Sequence, residues 1–220
     1  MEHTHGVSTP IDPNVKLDLA EDREEKELEL EDITEYQKVV GSLMYAALAT
    51  PPDISYAVVA LSRYNSQPFT SYTTAAKRVL QYLKSSADFG LHFTGNGIGI
   101  GIDIGNSLAG YTDSDWATDS MDRKSQGGHV FLASNGGAVS WQSRKQSLIT
   151  MSTLKGEFIA CSEVSREPKC LLQLQKDIHS SQRDSPPLPI NCDNQGAVTL
   201  ITMGIIKART KHIDVCYHNC

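Results

Sequence analysis

The sequence has little that would place it outside the ordinary run of packed cytosolic-type domains. Only 7% of its 220 residues are Phe, Trp or Tyr, with two tryptophans, so few large rings are available to fill a core. It has five cysteines, an odd number with no paired spacing, which argues against a disulfide framework and for a reducing compartment. No run of 18 apolar residues occurs, so no membrane span is expected. Met1-Glu2-His3-Thr4-His5-Gly6 lacks the basic and apolar regions of a secretory leader. A strongly basic balance is also missing. The net charge is −6, and the imbalance is local: residues 1–103 sum to −7 and residues 104–220 to +1. The acidity gathers between Glu21 and Glu35, which leaves the second half free to meet a polyanion.

What is present divides the chain into four stretches. Residues 1–33 are polar, acidic and punctuated by Pro10 and Pro13, the composition of a disordered segment. Residues 34–95 are helical in period. Tyr36, Val39, Val40, Leu43 and Met44 share one face, Pro51-Pro52 breaks the pattern, and two further amphipathic stretches carry Ile54, Ala57, Val58, Leu61 and then Ala75, Val79, Leu80, Leu83. Leu91-His92-Phe93 reads as a short strand. Residues 96–106 are glycine-rich. GNGIGIGIDIGN looks superficially like a dinucleotide loop, but no amphipathic helix follows it, so it reads as a linker. Residues 107–220 are strand-rich at first, with strands expected near 108–113, 128–134 and 137–142 and a tight turn at Asn135-Gly136-Gly137. A helical region over 152–180, interrupted by Pro168, is followed by a strand over 188–193 and a helix from Gln195 to Met203. Another helix is expected to start near Thr210. The fold class expected is α/β, a mixed sheet with flanking helices preceded by a small helical unit.

Three carboxylates stand out. Asp113 closes the run Leu108 to Asp113, Glu157 lies in the helical stretch Leu154 to Ala160, and Asp193 closes the run Leu188 to Asp193. Taken singly, each has an ordinary explanation: strand end, solvated helix face, helix cap. Taken together, two strand-end acids and a helical one make an oxygen-rich site that suits Mg²⁺, and two such ions can run an in-line displacement at phosphorus. The order strand-Asp, helix-Glu, strand-Asp suggests a nuclease of the ribonuclease H type. Asp115 reads as a neighbour of that site, and Trp116 and Trp141 as core. His212, Cys216, His218 and Cys220 match no standard zinc spacing.

Longer motifs carry a family resemblance. GYTDSDWATD (110–119), GGHVFLASNGGAVSWQSRKQSLIT (127–150), GEFIACSE (156–163), CDNQGAV (192–198) and ARTKHIDVCYH (208–218) resemble the ribonuclease H region of copia-type LTR retrotransposon Pol polyproteins. STPIDPNVKL (8–17), YQKVVGSLMYAALATPPDISYAVVALSRY (36–64) and KRVLQYLKSSADFGLHF (77–93) resemble the thumb and connection that end the same family's reverse transcriptase. The resemblance implies a ribonuclease H-like mixed sheet and a metal site of Asp113, Glu157 and Asp193 that holds two Mg²⁺ or Mn²⁺ ions. It also implies an RNA–DNA hybrid as substrate, with Arg144, Lys145, Arg209, Lys211 and His212 as phosphate contacts. The rest of the Pol polyprotein would be the partner, in cytoplasmic particles or the nucleus.

The sequence also departs from that family. It has no YVDD-like polymerase motif, so it is not a reverse transcriptase by itself. It ends before the stretch in which the family carries a fourth acid, so the resemblance implies a C-terminally truncated domain with weakened stand-alone activity. Lys155 and Gly156 replace the family's acidic residue and Ala before Glu157, and a helical Gly costs about 1 kcal/mol relative to Ala. The alternative to a nuclease is an inactive remnant, or a domesticated module that binds nucleic acid or protein.

Overall fold

The computed structural model describes residues 6–13, 29–49, 52–93, 108–116, 122–133, 136–150, 152–179 and 187–203. The chain divides into two compact units, Met1–Gly90 and Leu91–Cys220. The expected glycine-rich linker lies outside the described residues.

The first unit is helical. Helix α1 spans Leu30–Ala49, and its Tyr36, Val40, Leu43 and Ala47 repeat at four, three and four residues, which buries one stripe. A single 3₁₀ turn, Pro52–Ile54, leads into α2, Ser55–Ser62, and then α3, Thr70–Ser85. The helices meet over Val40, Leu43, Ile54, Val58, Leu61, Tyr72 and Val79, all nearly inaccessible to water. Tyrosines complete this core because their hydroxyls find acceptors. Tyr36 donates to the Leu61 carbonyl at 2.8 Å, and Tyr82 donates to the Asp53 carboxylate. The Tyr64 and Tyr72 rings stack at 4.0 Å.

Residues 6–13, which composition assigned to a disordered segment, are ordered here. Val7 and Ile11 pack against the helical core, Ser85 Oγ donates to the Val7 carbonyl at 2.9 Å, and Arg78 lies 3.9 Å from Asp12. The acidic average of residues 1–33 hid two apolar residues that have a surface to cover.

The second unit is mixed α/β. Its sheet has strand order β3-β2-β1-β4. Strands β1 (Ala109–Asp115), β2 (Gln126–Leu132) and β3 (Ala138–Lys145) are antiparallel, and β4 (Ile190–Asn191) runs parallel to β1. Gly136, at φ +92°, takes the left-handed conformation needed to turn β2 into β3, and its N–H donates to the Ala133 carbonyl at 2.9 Å. Helices α4 (Thr153–Val164), α5 (Glu167–His179) and α6 (Gln195–Met203) complete the described residues of this unit.

Further expectations need correction. Leu91-His92-Phe93 forms no strand; Phe93 instead packs against Gly137. Strand β1 runs two residues past Asp113, because Ser114 and Asp115 continue the ladder with Gly127 and Gln126. Strand β4 is far shorter than 188–193. Pro189 has no N–H to give, and the chain turns away after Asn191 to start α6. Trp116 is 46% exposed and Trp141 only half-buried; Phe131, Phe158 and Ile159 fill the core instead. The helical region over 152–180 splits at Ser165-Arg166, so Pro168 sits in the first turn of α5, where its missing N–H costs no hydrogen bond.

Candidate metal centre

Three elements of the second unit bring the three acids together. Strand β1 alternates, with Gly110, Thr112 and Ser114 buried and Tyr111, Asp113 and Asp115 exposed. Helix α4 packs over the buried row. It can come close because Gly156 has no side chain: a Cβ there would lie 3.1 Å from Ser114 Oγ. Gln146, 1% exposed, ties the layers by donating to the Gly156 carbonyl at 2.8 Å and to Ser114 Oγ at 3.1 Å. This docking puts Glu157 at the β1 backbone, where it is 5% exposed. The Ser114 N–H points at both carboxylates, 2.8 Å from Asp113 Oδ1 and 3.2 Å from Glu157 Oε1.

The third acid arrives through the parallel strand. Gly110 N–H donates to the Pro189 carbonyl at 2.9 Å, and Asn191 Nδ2 donates to the Gly110 carbonyl at 3.0 Å. This pairing fixes where the chain leaves β4. Asn194, whose Oδ1 accepts from Ala197 N–H at 3.1 Å, caps α6. Asp193 is therefore not the cap; it lies in the turn between β4 and α6, exposed and facing the same centre. Glu157, Cys192 and Asp193 each offer an atom within 4.8 Å of the others. Cys192, which the sequence reading passed over, has its Sγ 3.8 Å from Glu157 Oε2.

The electrostatics follow from burial and crowding. Burial first, then the charge of Asp113 and that of Asp193, push the Glu157 carboxyl up to about 7, while the Ser114 N–H and the Cys192 thiol pull it partly back. Burial also raises the Cys192 thiol, which hydrogen bonds from Asn194 and Cys161 oppose. A divalent cation would relieve the repulsion among the acids. Their all-oxygen donor set, one buried and two exposed carboxylates, fits Mg²⁺ or Mn²⁺.

The expected phosphate contacts fall in different places. Cross-strand partners share a face, so Arg144, opposite Gly127 and in line with Ser114, lies on the α4 side of the sheet. There its charge opposes the upward push that burial gives the Glu163 carboxyl. Lys145, in line with Asp115, shares the face of Asp113 and forms a 3.0 Å ion pair with Asp122. Arg209, Lys211 and His212 lie outside the described residues.

Comparison with known proteins assigns the chain to a family. The chain is 36% identical over 220 residues, 99% of its length, to the retrovirus-related Pol polyprotein from transposon TNT 1-94 of Nicotiana tabacum. It is 36% identical over 213 residues, 96% of its length, to that from transposon RE2 of Arabidopsis thaliana. The chain belongs to the copia-type transposon Pol polyproteins. It spans 16% and 14% of the length of those two relatives, so it corresponds to one segment of a Pol polyprotein. A 132-residue stretch of this Pol segment is also 41% identical to the secreted RxLR effector protein 161 of Plasmopara viticola, covering 60% of the chain and 87% of that protein. No protein-family model matches the Pol segment, and no solved structure matches it. Among its described residues, no helix is long and apolar enough to cross a membrane.

Proposed function

We propose that the second unit is a ribonuclease H-like module that cleaves the RNA strand of an RNA–DNA hybrid as part of a transposon Pol polyprotein. The observation that carries this reading is that Glu157 shares the Ser114 N–H with Asp113 on one side and offers an oxygen within 4.8 Å of Asp193 on the other. These three carboxylates would hold divalent metal. Two Mg²⁺ or Mn²⁺ ions, when bound, supply activation of the attacking water and stabilisation of the leaving 3′ oxygen. The protein's own part is positioning. Ser114 N–H orients Asp113 and Glu157 together, and Gln146 locks α4 to β1 behind them. Asp113 and Asp193 stay open to solvent, where a phosphodiester can reach them. Lys145, on the face of Asp113, offers a cation to the backbone of the bound strand. Recognition of the hybrid would rest on its shape and 2′-hydroxyls rather than on base sequence.

The test is cleavage of an end-labelled RNA–DNA hybrid by the purified chain in Mg²⁺ and, separately, in Mn²⁺, with Asp113→Asn alongside. Cleavage by the wild-type chain that drops at least about a hundredfold in Asp113→Asn is the expected result. Equal cleavage by both chains would show that the site is elsewhere. No cleavage by a chain shown to be folded would assign the segment to a non-catalytic, binding role.

A further inference from the structure

We propose that Cys192, Glu157 and Asp193 form a soft-metal site, which takes a zinc-class divalent ion through one thiolate sulfur and two carboxylate oxygens. Donor chemistry separates the candidate ions. Mg²⁺ has no use for sulfur, whereas Zn²⁺, Cd²⁺ and Co²⁺ accept thiolate beside carboxylate. The structure puts one sulfur and two carboxylates in a single cluster, with all three donor atoms within 4.8 Å of one another.

Distance supports the assignment. Zinc–sulfur and zinc–oxygen bonds of about 2.3 and 2.1 Å, at a tetrahedral angle, put the two donors about 3.6 Å apart. Cys192 Sγ and Glu157 Oε2 are 3.8 Å apart. An ion can therefore enter between them with only a small side-chain adjustment. Glu157 is held in place by burial and by the Ser114 N–H, and Cys192 is half-buried with Cys161 hydrogen-bonded behind it. As the metal–sulfur bond forms, the Cys192 thiol proton leaves to solvent. A fourth position remains for water.

The site overlaps the one proposed for catalysis without matching it. Asp113 is not among the three clustered donors, and Cys192 is not among the three catalytic acids. Glu157 and Asp193 are common to both, so a zinc-class ion and Mg²⁺ compete. Only this last step rests on the proposed nuclease function.

Cobalt is the probe, because thiolate-to-cobalt charge transfer gives a near-ultraviolet absorption that carboxylates alone do not. Co²⁺ is titrated into the full chain carrying Cys216→Ser and Cys220→Ser, so that the thiols near the end of the sequence add no signal. The expected result is a saturable band at one equivalent, retained when Cys161→Ser or Cys170→Ser is added. Adding Cys192→Ser removes it, and a large excess of Mg²⁺ weakens it. A band of undiminished strength in the Cys192→Ser chain, or no band from a chain with native circular dichroism, overturns the proposal. The readout does not require nuclease activity. Loss of hybrid cleavage with the cobalt band intact would count against the nuclease reading alone, and cleavage in Mg²⁺ with no cobalt band against this one alone.

Discussion

Replacing Glu157 by Gln should stabilise the metal-free protein at neutral and alkaline pH while it removes a ligand of the proposed metal site. The carboxyl rises from an ordinary 4.5 to about 7 on folding. Below pH 4.5 it is protonated in both states and costs nothing. As pH rises from 4.5 to 7 the unfolded chain gives up the proton and the folded chain keeps it, so stability falls; above 7 the loss is complete. The full shift corresponds to on the order of 3 kcal/mol. Part of it comes from the exposed Asp113 and Asp193, which water and salt screen, so about 2 kcal/mol is the expected size at physiological ionic strength. Gln keeps the acceptor for Ser114 N–H and carries no charge at any pH. The assay is urea unfolding in a chelator at pH 4 and pH 8, comparing wild type with Glu157→Gln. The two should match at pH 4, and the variant should be about 2 kcal/mol more stable at pH 8. Taking the difference between the two chains cancels the other titrating groups, among them His129, whose burial lowers its pKa and whose linkage runs the opposite way. Saturating Mg²⁺ should recover stability in wild type only. A variant that is equal to or weaker than wild type at pH 8 would refute the reasoning, because it would mean that the crowded acids cost the fold nothing.

Two further substitutions test the frame around the site, and a third tests the helical unit. Gly110→Ala would set a methyl 2.5 Å from Cε1 of Phe131, itself fully buried. A loss of about 2 kcal/mol or more in chemical denaturation is expected, because neither the strand nor the ring can move freely. Gln146→Ala leaves the buried Gly156 carbonyl without its side-chain donor; about 2 kcal/mol of lost stability is expected, together with faster amide exchange at the start of α4. In the helical unit, Tyr36→Phe removes the donor to the Leu61 carbonyl and should cost about 1 kcal/mol in thermal unfolding, with unchanged far-ultraviolet circular dichroism.

The sequence made the helical unit legible because each helix has one job, burying a stripe, and period reports that job directly. Tyr36, Val40, Leu43 and Val79 were readable as core from spacing alone. Residues 6–13 were not, since Val7 and Ile11 are two apolar positions in an acidic stretch, and their burial depends on a surface that only α3 provides. Trp116 was misjudged for a related reason. Ring size argues for burial, but its indole N–H takes the Thr150 carbonyl at 3.1 Å and holds the ring at the rim. Gly156 reads as a weak point of α4 by propensity. In the fold it faces Ser114, Ser125 and Thr150 oxygens, so its small size serves the close approach of helix to strand.

The site itself shows where such reading stops. Asp113, Glu157 and Asp193 stood out by residue type and order along the chain, and the fold sets Glu157 beside each of the other two. Cys192 carries no such signal: a cysteine beside an acid is ordinarily a small apolar filler. Its place in the centre depends on the parallel pairing of β4 with β1 being only two residues long. Had the ladder run on to Asp193, as the apolar pattern suggested, strand alternation would have sent Cys192 and Asp193 to opposite faces. Because the chain leaves the sheet after Asn191, both side chains turn to the same side and meet Glu157. The short strand therefore decides which donors the centre offers, and with them which metals it can hold.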